Sequence, residues 1–366
     1  MTDGTGCILD LGAAAADRAA PRVCLVMLSA LGDVVHALPV VTAIKRHVPA
    51  TRLTWILQPG PATLVRGHPD VDDILLFERR RGWPAMLDLR RELRTRPFDL
   101  VIDLQPYFKA GLITGFTRAP VKLGLDRARA RDLNWLFTTH RIPPRPLGHI
   151  QEQFLEFLDA IGVPRGEPAW RLRVTEEERA LARAIVAGAE GPLVGFVVAT
   201  SKPRKNWMPE RYAQLAGRLR GAHGARCVLL GDTTPIERAA ADAIAAGTDA
   251  APIDALGCGL RATVALLEAC DVVVAPDTGP VHLCVAMNVP AVSLFGYTNP
   301  KRFGPYLRFG DLLVDAFGGL GEAYTASARY RDGRMERITV AAVAAKVGLA
   351  LERYGSGAPW RRATLR

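Results

Sequence analysis

The sequence predicts an α/β protein of two domains, each built on a parallel sheet. Short apolar runs alternate with helix-periodic segments almost throughout, which is the signature of βαβ units. That rhythm breaks at an extended stretch punctuated by Gly162, Pro164 and Pro168 and then starts again. The chain also has 366 residues, more than one core usually serves, so two domains of about 150 residues each are expected.

Residues 1–21 read as a loose extension, because Asp3 stands where a signal peptide would carry basic residues and the apolar stretch behind it is broken. The first domain, 22–165, opens on the strand Arg22–Leu28 and continues through Leu53–Leu57, Ile74–Phe77 and Asp99–Asp103, each followed by a turn or helix. A helix over Gln151–Ile161 stops at Gly162 and Pro164. Residues 166–190, with an extended Pro168–Thr175, read as the linker. The second domain, 191–354, repeats the pattern: strand Leu193–Val198, a helix from Pro209, strand Cys227–Leu230, a helix from about Pro235, and strand Val272–Pro276. A helix with Pro280 in its first turn and strand Ala291–Phe295 follow. Proline suits those helix starts because its missing N–H would have had no intrahelical partner. Thr339 can cap a helix from Val340 to about Arg353, and 355–366 reads as a basic tail.

Composition narrows the class. With 49% apolar and 23% charged residues and no apolar run of about 18 residues, the chain reads as soluble and globular without a membrane span. Its six cysteines are scattered with no CxxC pair, so buried reduced thiols in a cytoplasmic protein are expected, with neither a disulfide framework nor a zinc site. The net charge of +10 points to an acidic partner: nucleic acid, an anionic lipid surface or a phosphorylated substrate. The run Arg79-Arg80-Arg81 reads equally as part of that footprint or as a solvated face.

Chemistry concentrates in loops that should leave the carboxyl edges of the two sheets, where open α/β folds bind ligands. The first strand runs into Ser29-Ala-Leu-Gly-Asp-Val-Val-His36, which holds only Gly32 where a dinucleotide fingerprint needs three spaced glycines; this counts against an NAD-dependent dehydrogenase. Asp33 has two readings, a general base for a substrate hydroxyl or a helix cap. His36 alone reads as a packed or surface histidine. In the second half, Ala199-Thr-Ser-Lys-Pro-Arg-Lys-Asn-Trp207 gathers two hydroxyls and three cations, either a diphosphate site or an exposed basic loop. Asp277-Thr278-Gly279 and His282 sit at a helix start whose amides and dipole favour an anion. Asp70-Val-Asp72 spells a metal-binding D-x-D pair but reads as turn and strand-start acids.

Together these segments resemble glycosyltransferase family 9, the ADP-heptose lipopolysaccharide heptosyltransferase family, over about residues 22–350. The resemblance rests on Leu31-Gly-Asp-Val-Val-His36 with Leu38-Pro39, Val101-Ile-Asp-Leu-Gln105, Thr200-Ser201 with Lys205 and Trp207, Asp277-Thr-Gly-Pro-Val-His282, Phe295-Gly-Tyr-Thr-Asn-Pro300 and Gly304-Pro305. It implies the GT-B fold, two facing Rossmann-like domains with a cleft between them, and inverting transfer of heptose from ADP-heptose to a lipopolysaccharide inner-core acceptor of the lipid A-Kdo type. Asp33 then matches the catalytic base. Thr200, Ser201 and Lys205 match the donor-phosphate contacts, although the family often has threonine where Ser201 stands. Asp277, Thr278, Gly279 and His282 fall in the nucleotide-sugar motif, Gly257 and Cys258 where adenine lies, and Glu237, through a looser match, at the ribose. Acceptor contacts are expected from Gly32, Arg66, Asp103, Gln105, Lys109 and Arg131, with Arg118 and Lys122 as further cations of that half.

The resemblance also implies catalysis without metal or other cofactor, Lys205 and helix dipoles doing the electrostatic work. Its partners are a nucleotide-sugar donor and an anionic glycolipid acceptor, at the cytoplasmic face of the inner membrane, where basic residues would give peripheral, salt-sensitive attachment. Nucleic acid is not expected, since the positive charge is scattered and no reader module is present. The rivals are a family member with another donor or acceptor and a non-catalytic basic protein that binds anions or nucleic acid. The oligomeric state stays open.

Overall fold

The structure, a computed structural model, describes residues 7–13, 20–319 and 321–355. The chain divides into two compact units, Met1–Leu172 and Arg173–Arg366, each with one six-stranded sheet.

The first sheet comprises β1 (Arg22–Val26), β2 (Arg52–Leu57), β3 (Asp73–Leu76), β4 (Leu100–Asp103), β5 (Val121–Gly124) and β6 (His140–Arg141) in the order β3-β2-β1-β4-β5-β6. All of its pairings are parallel. Beyond their first residues β1 and β2 are wholly buried, as is all of β4, because helices cover both faces; hence the unbroken apolar runs. The covering helices are α1 (Leu31–His47), α2 (Pro59–Val65), α3 (Trp83–Thr95), α4 (Phe108–Phe116) and α5 (Ile150–Ala160). Helices α3 and α4 set Met86, Leu89, Leu93 and Ile113 into one core cluster with β1 and β4. Helix α1 packs on α5, where His36 Nδ1 meets Gln151 Oε1 at 3.0 Å. Helix α1 runs on past Pro39.

The second unit repeats the plan. Its strands are β7 (Leu193–Val197), β8 (Arg226–Leu230), β9 (Ile253–Asp254), β10 (Val272–Pro276), β11 (Ala291–Phe295) and β12 (Val314–Asp315), ordered β12-β11-β10-β7-β8-β9 and parallel. Its helices are α6 (Glu176–Ile185), α7 (Pro209–His223), α8 (Pro235–Ala246), α9 (Leu260–Ala269), α10 (Gly279–Met287), α11 (Pro300–Phe303) and α12 (Val340–Tyr354). In each sheet the first strand lies between the second and the fourth. That is the Rossmann order, with a switch point outside the carboxyl ends of the first and fourth strands.

Two segments differ from expectation. The described part of the 1–21 extension is docked, not loose: Ile8 and Leu11 donate N–H to Ala160 O (2.8 Å) and Ile161 O (3.1 Å), and the Leu11 side chain is buried. Carbonyls at a helix end lack intrahelical partners, and these amides supply them. The 166–190 stretch contains the break between units but also helix α6, started by a Thr175/Glu178 capping box. Arg179 to Glu268 (2.7 Å) and Arg261 to Glu178 (2.6 Å) tie α6 to α9, so it belongs to the second unit. Of the expected tail at 355–366, all but Gly355 lies outside the described residues.

Candidate active site

At the first switch point the chain leaves β1 through Leu28, Ser29 and Ala30 and enters α1. Gln105, just beyond β4, spans the crevice: its Oε1 accepts from Leu28 N at 3.0 Å and its Nε2 donates to Ser29 O. Gln58 Nε2 reaches the Ser29 hydroxyl at 3.3 Å. Two amide side chains thus hold the turn that presents α1. Asp33 is the third residue of that helix and not its cap; Ala30 holds the cap position, and its N–H donates to Asp33 Oδ2 at 3.1 Å. The bond fixes the carboxylate at the carboxyl edge while leaving it half-buried, beside Gly32 in the same turn.

Asp103 behaves otherwise. It is fully buried, and its oxygens accept from Thr114 Oγ1 (3.0 Å), Asn134 Nδ2 (3.0 Å) and Gln105 N (3.1 Å). Burial pushes its carboxyl up to about 7, against the lowering effect of those three donors. A carboxyl with no exposed surface cannot touch an acceptor, so its expected contact role is corrected to a supporting one. Asn134 also donates to Gln105 O and Tyr107 O, and Arg131 N to Pro106 O at 2.7 Å. The loops that carry Gln105, Lys109 and Arg131 are therefore one assembly, with Lys109 and Arg131 exposed on it. Gln105 is itself buried. Arg66 is not brought there: it follows the last residue of α2, whose first turn, not its last, lies at the carboxyl edge. Arg118 and Lys122 lie at or beyond the far end of α4, and burial lowers the Lys122 ammonium.

At the second switch point, the loop after β7 and the turn after β10 meet. Lys205 Nζ lies 2.5 Å from Asp277 Oδ2 and 3.2 Å from Asp277 O, with side-chain exposures of only 17% and 8%. Such a pair is costly to break, because removing either partner strands a desolvated charge. Thr200 organises the basic loop: its N–H and hydroxyl both reach Asn206 Oδ1, at 2.8 and 2.9 Å, while Lys202 N donates to its Oγ1 at 3.1 Å. Ser201 is exposed. Helix α10 begins at Gly279 behind Thr278, whose side chain makes no capping bond, so its leading amides and positive dipole end suit an anion. His282 is buried one turn in, its Nε2 3.8 Å from Asp277 Oδ1.

The loops after β8 and β9 border the same edge. Gly257 has φ +74°, and a Cβ there would lie 2.5 Å from Thr233 Cγ2; with Gly257 N bonded to Gly231 O at 3.0 Å, only glycine fits unstrained. Cys258 is half-buried with Sγ 3.5 Å from Thr263 Oγ1. Glu237 uses both oxygens locally, on Asp232 N at 3.1 Å and on the hydroxyl of Thr234, the cap of α8.

Sequence reasoning missed Asn206, Asn134 and Thr114, which hold these loops without being their most conspicuous residues. It also missed Tyr330, which stacks on Tyr297 at 5.0 Å and lies 5.5 Å from Lys202 Nζ. For Asn206 the signal was present, an amide after the Lys202-Pro-Arg-Lys turn. The Asp70/Asp72 pair is spent on structure: Asp70 takes Arg171 (2.6 Å) and Thr42 (3.0 Å), and Asp72 takes Lys45 (2.8 Å). Among the described residues no three His, Cys, Asp or Glu side chains gather as a metal site.

Known proteins resemble this chain over most of its length. The family described as Glycosyltransferase family 9 (heptosyltransferase) matches residues 86–309. The lipopolysaccharide core heptosyltransferase OpsX of Haemophilus influenzae is 30% identical over 289 residues, 78% of this chain and 82% of that protein. Among solved structures, a glycosyl transferase family 9 protein from Veillonella parvula superposes with a TM-score of 0.78 at 21% identity, covering 91% of this chain and 97% of its own, a likeness of fold. The Escherichia coli heptosyltransferase WaaC, solved with ADP, gives 0.70 at 25% identity, covering 90% and 99%.

Proposed function

This chain belongs to glycosyltransferase family 9, the heptosyltransferase family, and we propose that it transfers heptose from ADP-heptose to the inner core of a lipopolysaccharide acceptor with inversion at the anomeric carbon. The observation that carries the donor half is the second switch point, where Lys205, held by Asp277, stands beside the uncapped start of α10. A sugar diphosphate needs such neutralisation, and needs it most as the bond to the leaving ADP lengthens.

In this reading Asp33 takes the proton of the acceptor hydroxyl, and the freed oxygen pair attacks the anomeric carbon. The carbon–oxygen bond to ADP breaks, the diphosphate leaves with its electrons, and Asp33 is left protonated. Thr200, Ser201, Lys205 and the amides at Gly279 receive the diphosphate. The Gly257–Cys258 loop takes the adenine and the loop closed by Glu237 the ribose. Lys109 and Arg131 meet the acidic groups of the acceptor, and Gln105, with Asp103 behind it, holds the turn from which Asp33 projects. Cations and a helix dipole supply the charge stabilisation, so no metal is invoked and a chelator should leave turnover unchanged.

Among the described residues no helix is long and apolar enough to cross a membrane. A lipid-linked acceptor then calls for peripheral attachment at the cytoplasmic face. The decisive experiment incubates the purified protein with ADP-heptose and a panel of truncated core acceptors and reads the product by mass spectrometry. A mass gain of one heptose on one acceptor supports the reading. No transfer to any acceptor, with thermal stabilisation by UDP, GDP or CMP in place of ADP, replaces it with another donor.

A further inference from the structure

Helix α3 carries two stripes. Ala85, Met86, Leu89 and Leu93 are buried in the core. Trp83, Leu87, Arg90 and Arg94 follow at helical spacing on the adjoining side, and there Trp83 is 71% and Leu87 51% exposed. The end of α4 adds Phe116 and Arg118, and together they line an open groove of about 460 Å³. The charges sort themselves. Arg81 and Arg91 pair with Asp88, and Arg96 with Glu92, on the flank of the helix, whereas Arg90, Arg94 and Arg118 enter no ion pair among the described residues. Gly82 joins Trp83 to the exposed turn Arg79–Arg81.

We infer that this groove docks the first unit on an anionic bilayer. An indole and a leucine at one end suit the headgroup boundary, where aromatic and aliphatic side chains insert, while arginines with long apolar stems reach lipid phosphates. A small soluble anion would use the arginines and leave Trp83 and Leu87 without a function; a bilayer matches both halves of the stripe. Each unpaired arginine adds attraction to an anionic surface that salt weakens. The choice of a membrane rests on the lipid-linked acceptor proposed above, and the inference adds the face and the residues.

The test sediments the full-length protein with vesicles of phosphatidylethanolamine and phosphatidylglycerol, and separately with phosphatidylcholine vesicles. Binding is expected to the first and not to the second, and to weaken with added salt. Arg90→Glu with Arg94→Glu should cut the bound fraction about tenfold or more, and Trp83→Ala with Leu87→Ala several-fold, while Trp83→Phe keeps most of it. These side chains are exposed, so all variants should retain ADP-induced thermal stabilisation and turnover on a soluble acceptor. Wild-type protein that ignores both vesicle types, equal binding to phosphatidylcholine, or variants that bind like wild type would each overturn the inference. So would groove variants that only convert a dimer to a monomer. Vesicle binding lost in the groove variants of a protein that transfers no heptose would leave the docking face standing and remove the enzymatic reading; normal transfer without vesicle binding would do the reverse.

Discussion

At the first switch point the groups that meet across the crevice are neutral, Gln105 against the backbone of Leu28 and Ser29; at the second they are charged, Lys205 against Asp277. The strand order is the same in both sheets. What differs is the charge left for a ligand. In the first unit the amide bridge leaves a half-buried carboxylate, Asp33, as the group at the edge able to accept a proton. In the second, a held lysine and a helix start lie at the edge, which suits an anion. In the proposed reaction one topology used twice would carry a base in one copy and a phosphate cradle in the other.

The sharpest way to break the comparison is Asp33→Ala. If the first edge supplies the base, turnover should fall about 10²- to 10⁴-fold while ADP affinity, read by calorimetry, stays within a few-fold. Undiminished turnover would mean that the two edges do not divide the work this way. The second edge is broken through its pair. Lys205→Ala strands Asp277, so we expect a stability loss of about 3 kcal/mol in chemical denaturation together with weaker donor binding. Lys205→Met combined with Asp277→Leu separates the effects, because replacing both charges by apolar groups should return most of the stability but not the donor affinity. Donor affinity restored along with stability would make the pair purely structural.

Much of this division was legible in the sequence. Val272–Pro276 and Ala291–Phe295 have the bounds read from their apolar runs, since strands buried on both faces admit little else. Thr339 caps α12 through a bond from Ala342 N at 3.2 Å, as its residue type foretold. Edge strands such as His140–Arg141 and Ile253–Asp254 were not legible, because two residues, mostly exposed, leave no periodic trace. Nor was the fate of Asp103. A carboxylate ending a strand reads as facing a ligand, and the donors that hold it inside come from 11 and 31 residues further on. The Lys205–Asp277 contact spans 72 residues, so the sequence supplied both groups but not their union.

Asp103 gives the first edge a pH signature. Its ordinary value is 3.8 and burial raises it to about 7, so between those pH values the folded chain holds a proton that the unfolded chain has lost. Stability contributed by this group is full below about 4 and declines as pH rises toward 7, by up to about 1.4 kcal/mol per pH unit. Denaturation profiles at pH 5 and pH 8 should therefore differ more for the wild type than for Asp103→Asn, which cannot ionise. Equal differences would place the charge of Asp103 outside the energetics of the first edge.

The smallest expected effect decides how far the donor edge extends. Glu237 is needed locally, since its carboxylate receives Asp232 N and the Thr234 hydroxyl, and that hydroxyl in turn lies 3.4 Å from Glu237 N at the start of α8. Thr234→Ala removes the cap while leaving the carboxylate, and should cost about 1 kcal/mol of stability. Glu237→Gln keeps an acceptor for Asp232 N and the side chain's shape but discards the charge. If Glu237 only secures the loop, both variants should bind ADP like the wild type. If it also meets the ribose, Glu237→Gln should weaken ADP several-fold in calorimetry where Thr234→Ala does not, because a ribose hydroxyl donates more strongly to a carboxylate than to an amide. The second result would carry the cradle at the β7 and β10 edge across to the loop after β8; the first would confine it to Lys205, Thr200 and the start of α10.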